Sequence, residues 1–220
     1  WPGDAQVQPM LACYQIARQL RREGVQYQFY EAIDRLEPRA DDVVVTLAGG
    51  ERIVAGHVGL CTGVWTNTLL EPLGCAIPVQ PRKGHIAVLE RGHVQVNSKI
   101  ADFGYQAAAE STAVDENAVQ TAAIIEATRS GTILCGSSRE FAGFNMDVDM
   151  TTVQRLLADC VRIVPDLAEL RVIRGYAGLR PFSPDGHPLV GPVPGAERLI
   201  VATGHEGAGH GLAAVTGDLV

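Results

Sequence analysis

A short apolar segment that runs into a glycine-rich turn limits the fold of this chain more than any other feature. Leu199 to Thr203 is apolar, Gly204 to Gly211 is rich in glycine, and an apolar helix pattern starts at Leu212. A second unit of this kind begins at His57, turns at Gly63 and continues into a helical pattern from Trp65 to Leu73. Such strand–glycine–helix units let the backbone approach a ligand closely. The sequence therefore predicts strands and helices in one sheet-based fold.

The remaining apolar patterns divide into two regions. Four strand patterns in the middle of the chain have polar connections, and we expect them to form a second, mostly antiparallel sheet; they are Ile86–Leu89, Val94–Val96, Val119–Ile125 and Thr132–Cys135. The alanine-rich segment from Gln106 to Asn117 is expected to be a surface loop or short helix. Elsewhere the periodicity predicts helices at 9–23 and 152–164, strands at 25–30 and 172–178, and a hairpin over 43–54.

Charge and composition exclude several classes of protein. The 220 residues include 18 basic and 25 acidic side chains, for a formal charge of −7, which argues against binding to nucleic acid or an anionic membrane. No stretch of apolar residues is long enough for a transmembrane segment. Five scattered cysteines without a Cys-x-x-Cys pair favour buried, reduced thiols in a cytoplasmic protein, the alternative being a disulfide or zinc site. The sequence begins with Trp1 rather than with Met, and it stops at Val220 within a helical pattern. We therefore expect this chain to be part of a longer protein.

Arg180 ends an apolar strand pattern just before a rigid turn that contains Pro181, Pro184 and Gly186. A charge in such a place must be paired or must await an anion. One interpretation is an internal salt bridge with Asp185 or another acid. The other is a ligand carboxylate, which a guanidinium binds through two parallel hydrogen bonds.

The glycine-rich turn does not match two familiar motifs. Counted from Gly207, its spacing departs from Gly-x-Gly-x-x-Gly at Leu212, so it does not predict the phosphate loop of a dinucleotide-binding unit. The sequence His205-Glu206 with His210 resembles a zinc motif, but the second histidine comes one residue too late to share a helical face. We therefore predict no metal site.

The order of several motifs resembles the C-terminal part of FAD-dependent oxidoreductases of the D-amino-acid oxidase family. The motifs are Cys61-Thr62-Gly63-Val64-Trp65, Pro78 to His85, Gly136 to Phe144, Gly178-Leu179-Arg180-Pro181, and Ala202 to Gly209. The third is similar to the subgroup that contains hydrogen cyanide synthase, opine oxidase and D-hydroxyproline dehydrogenase flavoprotein subunits. The family opens with a βαβ unit bearing Gly-x-Gly-x-x-Gly, which this sequence lacks.

The resemblance implies an α+β or α/β fold. Residues 1–80 would form a partial, Rossmann-like FAD-binding domain, 81–178 an inserted, mostly antiparallel substrate-binding domain, and 179–220 the return to the FAD-binding domain. It further implies oxidation of an amino acid or secondary amine to an imine, with hydride transfer to flavin N5. The resemblance also implies a hetero-oligomer with electron-transfer subunits. One alternative is a non-catalytic substrate-binding or assembly module without its own FAD site. Another alternative is that this chain is one subunit whose missing FAD elements come from a partner chain.

Residue roles also follow from the resemblance. Arg180 would hold the substrate carboxylate, and Tyr176 would shape the pocket or pack in the core. His205 would lie near the flavin or be structural. Gly63 and Trp65 would line the cofactor cleft, although Trp65 suits packing as well. The other cofactor-binding positions would be Gly178, Gly204, Gly207, Ala208, Gly209 and Gly211.

Two further groups of residues have open roles. Arg82, Lys83 and Gly84 are expected to be structural or solvent-facing rather than catalytic. The segment with Arg139 and Phe144 would form either a loop over the pocket or a subunit contact.

Overall fold

The computed structural model describes residues 5–102 and 118–220, which divide into two compact units, Trp1–His57 and Val58–Val220. The first unit contains helix α1 (Pro9–Arg22) and a three-stranded antiparallel sheet of β1 (Ile33–Pro38), β2 (Val43–Leu47) and β3 (Arg52–Ala55). The predicted helix and hairpin are thus confirmed. Gly24 follows α1 with φ +97°, a conformation that glycine adopts without strain.

One prediction in this unit is wrong. The segment from Val25 to Tyr30 is not a strand, and Tyr30 has φ +64°. The strand that pairs with β2 on the side opposite β3 is β1, which sequence reasoning missed. Asp34, Arg35 and Glu37 interrupt its apolar pattern, because only Leu36 of this strand is buried.

The second unit begins with β4 and ends with a helix. In chain order it contains β4 (Val58–Leu60), α2 (Thr66–Leu70), β5 (Gln80–Leu89), β6 (Ile100–Ala101), β7 (Gln120–Ala127), β8 (Ile133–Arg139), α3 (Met150–Ile163), β9 (Val172–Phe182), β10 (Leu189–Val193), β11 (Ala196–Thr203) and α4 (Gly209–Leu219). Single 3₁₀ turns flank α2 at Gly63–Trp65 and Glu71–Leu73. The helices predicted after both glycine turns are confirmed.

A small sheet brings the two glycine turns together. Its order is β10-β11-β4, and β11 runs parallel to β4. Because parallel strands end at the same edge of a sheet, the turn after Leu60 and the turn after Thr203 are neighbours. The sequence alone did not reveal this pairing.

The larger sheet has five strands in the order β6-β7-β8-β5-β9, and every neighbouring pair is antiparallel. The predicted antiparallel sheet is confirmed, and α3 packs against it. Buried side chains from β5, β7, β8 and α3 form the core; they include Leu89, Ile125, Ile133, Cys135, Val153 and Cys160. The prediction of a strand at Val94–Val96 is wrong. The edge strand next to β7 in this sheet is β6. The segment 106–117 lies outside the described residues.

Two expectations drawn from composition can be compared with the structure. Within 5–102 and 118–220, no helix is long and apolar enough to cross a membrane. All five cysteines are free, but only Cys135 and Cys160 are buried. The predicted burial is wrong for Cys13 and Cys61, which are exposed. Neither cysteine belongs to the core of the antiparallel sheet.

Candidate active site

The two glycine turns are joined through the carbonyl group of Gly63. The hydroxyls of Thr66 and Thr203 both donate to this oxygen, at 2.8 Å and 3.0 Å. Gly63 has φ +56° and Gly204 has φ +78°, backbone conformations that favour glycine. The glycines predicted to bind a ligand therefore serve first to turn the chain sharply after β4 and β11.

A cavity of 570 Å³ lies between these turns and α4. Its walls are mostly backbone and small side chains, with lining residues that include Cys61, Gly63, Thr203, His205, Glu206 and Gly209. His205 is fixed by a 2.9 Å hydrogen bond between its Nε2 and Thr216 Oγ1. Gly209 is the first residue of α4, so the positive end of that helix borders the cavity.

The structure separates the predicted cofactor-binding residues into two sets. Gly63, His205 and Gly209 line the cavity, whereas Gly204, Gly207, Ala208 and Gly211 belong to the same turn or helix start without being lining residues. Trp65 is half-exposed and lies away from the lining, with its ring centroid 6.3 Å from that of Phe144. The segment after β8 thus contacts the glycine turn after β4. The cofactor roles of all these residues stay predictions.

Arg180 lies on β9 directly opposite Arg82 of β5. Two residues further along β5, Gly84 lies opposite Gly178 of β9. A Cβ on Gly84 would overlap the Arg180 guanidinium. Glycine at position 84 therefore makes the room in which the guanidinium lies. Arg180 Nη1 donates to the carbonyl oxygen of Ser138 at 3.1 Å, which anchors one edge of the group.

Glu206 is the acid that faces Arg180. Its Oε1 lies 3.5 Å from Arg139 Nε and 3.9 Å from both Arg82 Nη1 and Arg180 Nε. Glu206 has φ +45°, and its N–H donates to the carbonyl of Pro181 at 3.0 Å, which ties the glycine-rich turn to β9. The internal salt bridge that we considered for Arg180 therefore exists.

Asp185 has different partners. Its Oδ1 accepts from the His187 N–H at 3.0 Å and the Ser183 hydroxyl at 2.8 Å. These two bonds lower the pKa of Asp185. Asp185 shapes the turn after β9 and does not appear among the ion-pair partners of Arg180 in the described structure.

Arg82 is 2% exposed, so the solvent-facing alternative predicted for it is wrong and the structural alternative remains a prediction. Its guanidinium lies 5.6 Å from the ring centroid of Phe141 and 5.0 Å from that of Phe182. Burial lowers the pKa of Arg82; Glu206 opposes this shift, whereas Arg139 and Arg180 add to it. Sequence reasoning missed Arg82 and Glu206. The available signals were an arginine before a long apolar strand and an acid within a glycine-rich turn.

A second polar group lies on the opposite face of β5. Lys83 Nζ and His85 Nδ1 each lie 3.6 Å from Glu140 Oε1. His85 Nε2 accepts from the Asp149 N–H at 3.1 Å, so the neutral ring carries its proton on Nδ1, which lies 2.9 Å from Ser138 Oγ. Burial, together with the Lys83 ammonium, lowers the pKa of His85 below its ordinary value of 6.5.

Tyr176 and Gly178 lie on β9 on the same face as Arg180, because alternate residues of a strand share a face. Tyr176 is 39% exposed, and its ring stacks with the guanidinium of Arg174 at 5.5 Å. Burial raises the pKa of Tyr176. Neither residue lines the cavity, so their roles in the site remain predictions.

In this site two parallel strands end in glycine turns beside a cavity, and a guanidinium lies next to one of the turns. This arrangement is typical of an enzyme that binds an organic cofactor and an anionic substrate. The chain belongs to the family of FAD-dependent oxidoreductases described as DAO, whose model matches residues 1–220. The resemblance seen in the sequence motifs is thereby confirmed, and FAD is the cofactor of this family.

Individual relatives agree with this assignment. The chain is 33% identical over 195 residues to a glycine oxidase of Pseudomonas aeruginosa, covering 86% of this chain and 49% of the relative. It is 30% identical to hydrogen cyanide synthase subunit HcnC of Pseudomonas protegens, covering 99% of this chain and 48% of that protein. An L-proline dehydrogenase structure from P. horikoshii has the same fold, with a TM-score of 0.81 at 20% identity, over 96% of this chain and 54% of that one. The chain thus spans about half the length of these proteins.

The residues present fit one part of FAD. Gly63, Gly207 and Gly211 have open space where a Cβ would lie, and Gly63 lines the cavity. The glycine-rich turn does not provide the Gly-x-Gly-x-x-Gly motif that binds the diphosphate. The described residues therefore fit the flavin ring better than the nucleotide half of the cofactor.

Proposed function

We propose that the complete protein oxidises an amino acid or secondary amine to an imine, with this chain supplying the substrate clamp and one wall of the flavin site. The observation that carries the proposal is the Arg180 guanidinium, which Gly84 accommodates and Ser138 anchors beside the turn that borders the cavity. The names of the relatives, glycine oxidase among them, support an amino acid as the substrate.

Arg180 would bind the substrate carboxylate through parallel hydrogen bonds, which fix orientation as well as charge. FAD, when bound, supplies the hydride acceptor at N5. The N-terminal end of α4 would stabilise negative charge that develops on the ring, because its dipole and unsatisfied N–H groups are positive. His205, held by Thr216, would keep a fixed position at the cavity wall.

One partner arrangement and one alternative function accompany this proposal. We infer that electron-transfer subunits associate with the complete protein, an inference supported by the similarity to HcnC, which is itself named a subunit. The second candidate function is a substrate-binding or assembly module without its own FAD site. Flavin absorbance that stays with the purified protein through a desalting column would contradict the second candidate.

Arg180→Ala in the complete, flavin-loaded protein tests the substrate clamp. A hydrogen-bonded charge pair contributes about 1.5–3 kcal/mol, so kcat/KM for a carboxylate-bearing substrate should fall by at least about tenfold. Arg174→Ala is the matched control, because it removes an exposed guanidinium from the same strand and face. Unchanged kinetics in folded, flavin-loaded Arg180→Ala would refute the role of Arg180.

A further inference from the structure

One carboxylate, that of Glu206, faces three guanidinium groups. Arg82, Arg139 and Arg180 come from three neighbouring strands, β5, β8 and β9, and each places a nitrogen within 3.9 Å of Glu206 Oε1. We call these three residues the arginine cluster. The substrate clamp described above uses only Arg180, so the other charges in this group have no role in it.

The arginine cluster is buried. The side chains of Arg82 and Arg139 are 3% and 2% exposed, and that of Arg180 is 21% exposed. Removing a guanidinium from water is unfavourable unless an anion compensates for it. Arg82 Nε and Nη1 make no hydrogen bond to any residue in 5–102 or 118–220. Glu206 therefore compensates the charge of Arg82 through space, at 3.9 Å, without satisfying its N–H groups.

Glu206 differs from its partners in its access to the cavity. Its side chain is 18% exposed, and the residue lines the 570 Å³ cavity, whereas Arg82, Arg139 and Arg180 do not. A carboxylate that binds the Arg180 guanidinium must therefore lie close to the Glu206 carboxylate, because Glu206 Oε1 is only 3.9 Å from Arg180 Nε. Two like charges at such short range repel, and a partly buried site screens that repulsion weakly.

We propose that Glu206 is an internal counter-ion that competes with the substrate carboxylate for the arginine cluster and so sets how tightly the site binds anions. It neutralises part of the cluster when no substrate is present, and it weakens substrate binding when one arrives. Glu206 is a positioning residue, since it acts on the substrate through the arginines. The inference rests on the proposed function, in which Arg180 binds the substrate carboxylate.

Glu206→Gln tests the proposal because glutamine keeps the shape of the side chain and removes its charge. The probe is acetate, whose dissociation constant for the complete, flavin-loaded protein is measured by calorimetry. We expect acetate to bind at least about tenfold more tightly, since a counter-charge next to the guanidinium is gone. The substrate KM should fall without a rise in kcat, a split that a merely structural role would not produce.

Two variants serve as matched controls. Glu206→Asp keeps the charge, so its acetate dissociation constant should stay within about threefold of the wild type. Glu197→Gln removes a charge from an exposed position on β11 and should leave acetate binding unchanged. Acetate binding by Glu206→Gln that is unchanged or weaker than wild type would overturn the proposal.

A second route remains if Glu206→Gln does not fold. Arg82→Met removes one cation of the cluster at a position that does not line the cavity, and it should weaken acetate binding by at least about threefold. Unaltered affinity in that variant would also overturn the proposal.

Arg180→Met in the same titration separates this inference from the proposed function. If Arg180→Met still binds acetate as the wild type does, the substrate clamp itself is wrong. If Arg180→Met loses acetate binding while Glu206→Gln binds it as the wild type does, the clamp stands and only the role of Glu206 fails.

Discussion

The two ends of β5 are equally buried, yet they contain opposite kinds of residue. At one end Ala87, Val88 and Leu89 are at most 5% exposed, and Ala87 and Leu89 pack among apolar side chains. At the other end Arg82, Lys83 and His85 are at most 4% exposed and face ion pairs and hydrogen bonds. One strand therefore passes from an apolar core into a buried polar site.

This difference separates stability from function. Burying apolar surface stabilises a fold by about 25 cal/mol per Å². Burying a charge is unfavourable unless partners compensate for it, and replacing a buried ion pair by apolar residues is often stabilising. The apolar end of β5 should therefore contribute most of its stability, whereas we propose that the charged end serves anion binding.

The largest expected effect is at the apolar end. Leu89 is 2% exposed and pairs in register with Ile133 and Val172. Leu89→Ala should lower the free energy of unfolding by about 2–5 kcal/mol, because it removes buried methyl groups and leaves a cavity. Urea denaturation measures this loss. Val172→Ala, at the half-exposed position opposite Leu89, is the control and should cost less than about 1 kcal/mol.

A smaller effect is expected at the charged end. Arg82→Met should change the free energy of unfolding by less than about 1 kcal/mol, because methionine can fill the space between Phe141 and Phe182 while a desolvated charge is removed. The same urea experiment compares it with Leu89→Ala. A loss as large as that of Leu89→Ala would show that the arginine stabilises the fold, and the contrast between the two ends would disappear.

The smallest effect concerns pH. Burial lowers the pKa of His85 below the value of 6.5 that applies when the chain is unfolded. Below pH 6.5 the unfolded state therefore binds more protons than the folded state, and stability falls as the pH decreases. His85→Gln should make the melting temperature less dependent on pH between about 7.5 and 5.

His93→Gln is the control for that experiment, since His93 is exposed. It should retain the dependence on pH seen in the wild type. An identical pH dependence in His85→Gln and the wild type would show that His85 does not cause it.

Apolar periodicity predicted those elements whose buried residues are hydrophobic side chains or threonine. The hairpin of β2 and β3, helix α3 and strand β11 were found this way. The same reasoning ended β5, β8 and β9 too early or began them too late, because the buried Arg82 and Arg139 and the partly buried Arg180 look like surface residues in a sequence. Strand β10 was missed, since Gly191 and Pro192 interrupt its pattern.

The sequence likewise pointed to some residues of the candidate site and not to others. Arg180 and the glycine turns stood out because a charge after an apolar strand, or several glycines before a helix, has few structural explanations. The sequence offered Asp185 as a partner for Arg180, since it is close along the chain. It could not reveal that Arg82, Arg139 and Glu206 meet Arg180, because a distant ion pair leaves no local pattern.

The sequence by itself determined the strand–glycine–helix units, the antiparallel character of the larger sheet and the membership of an FAD-dependent family. These properties depend on local periodicity, backbone freedom and motif order. Only the tertiary structure decided which charges are neighbours. The register of β5 against β9 places Arg82 opposite Arg180, and the left-handed turn at Glu206 brings a single carboxylate to both, because strand pairing joins residues that are far apart along the chain.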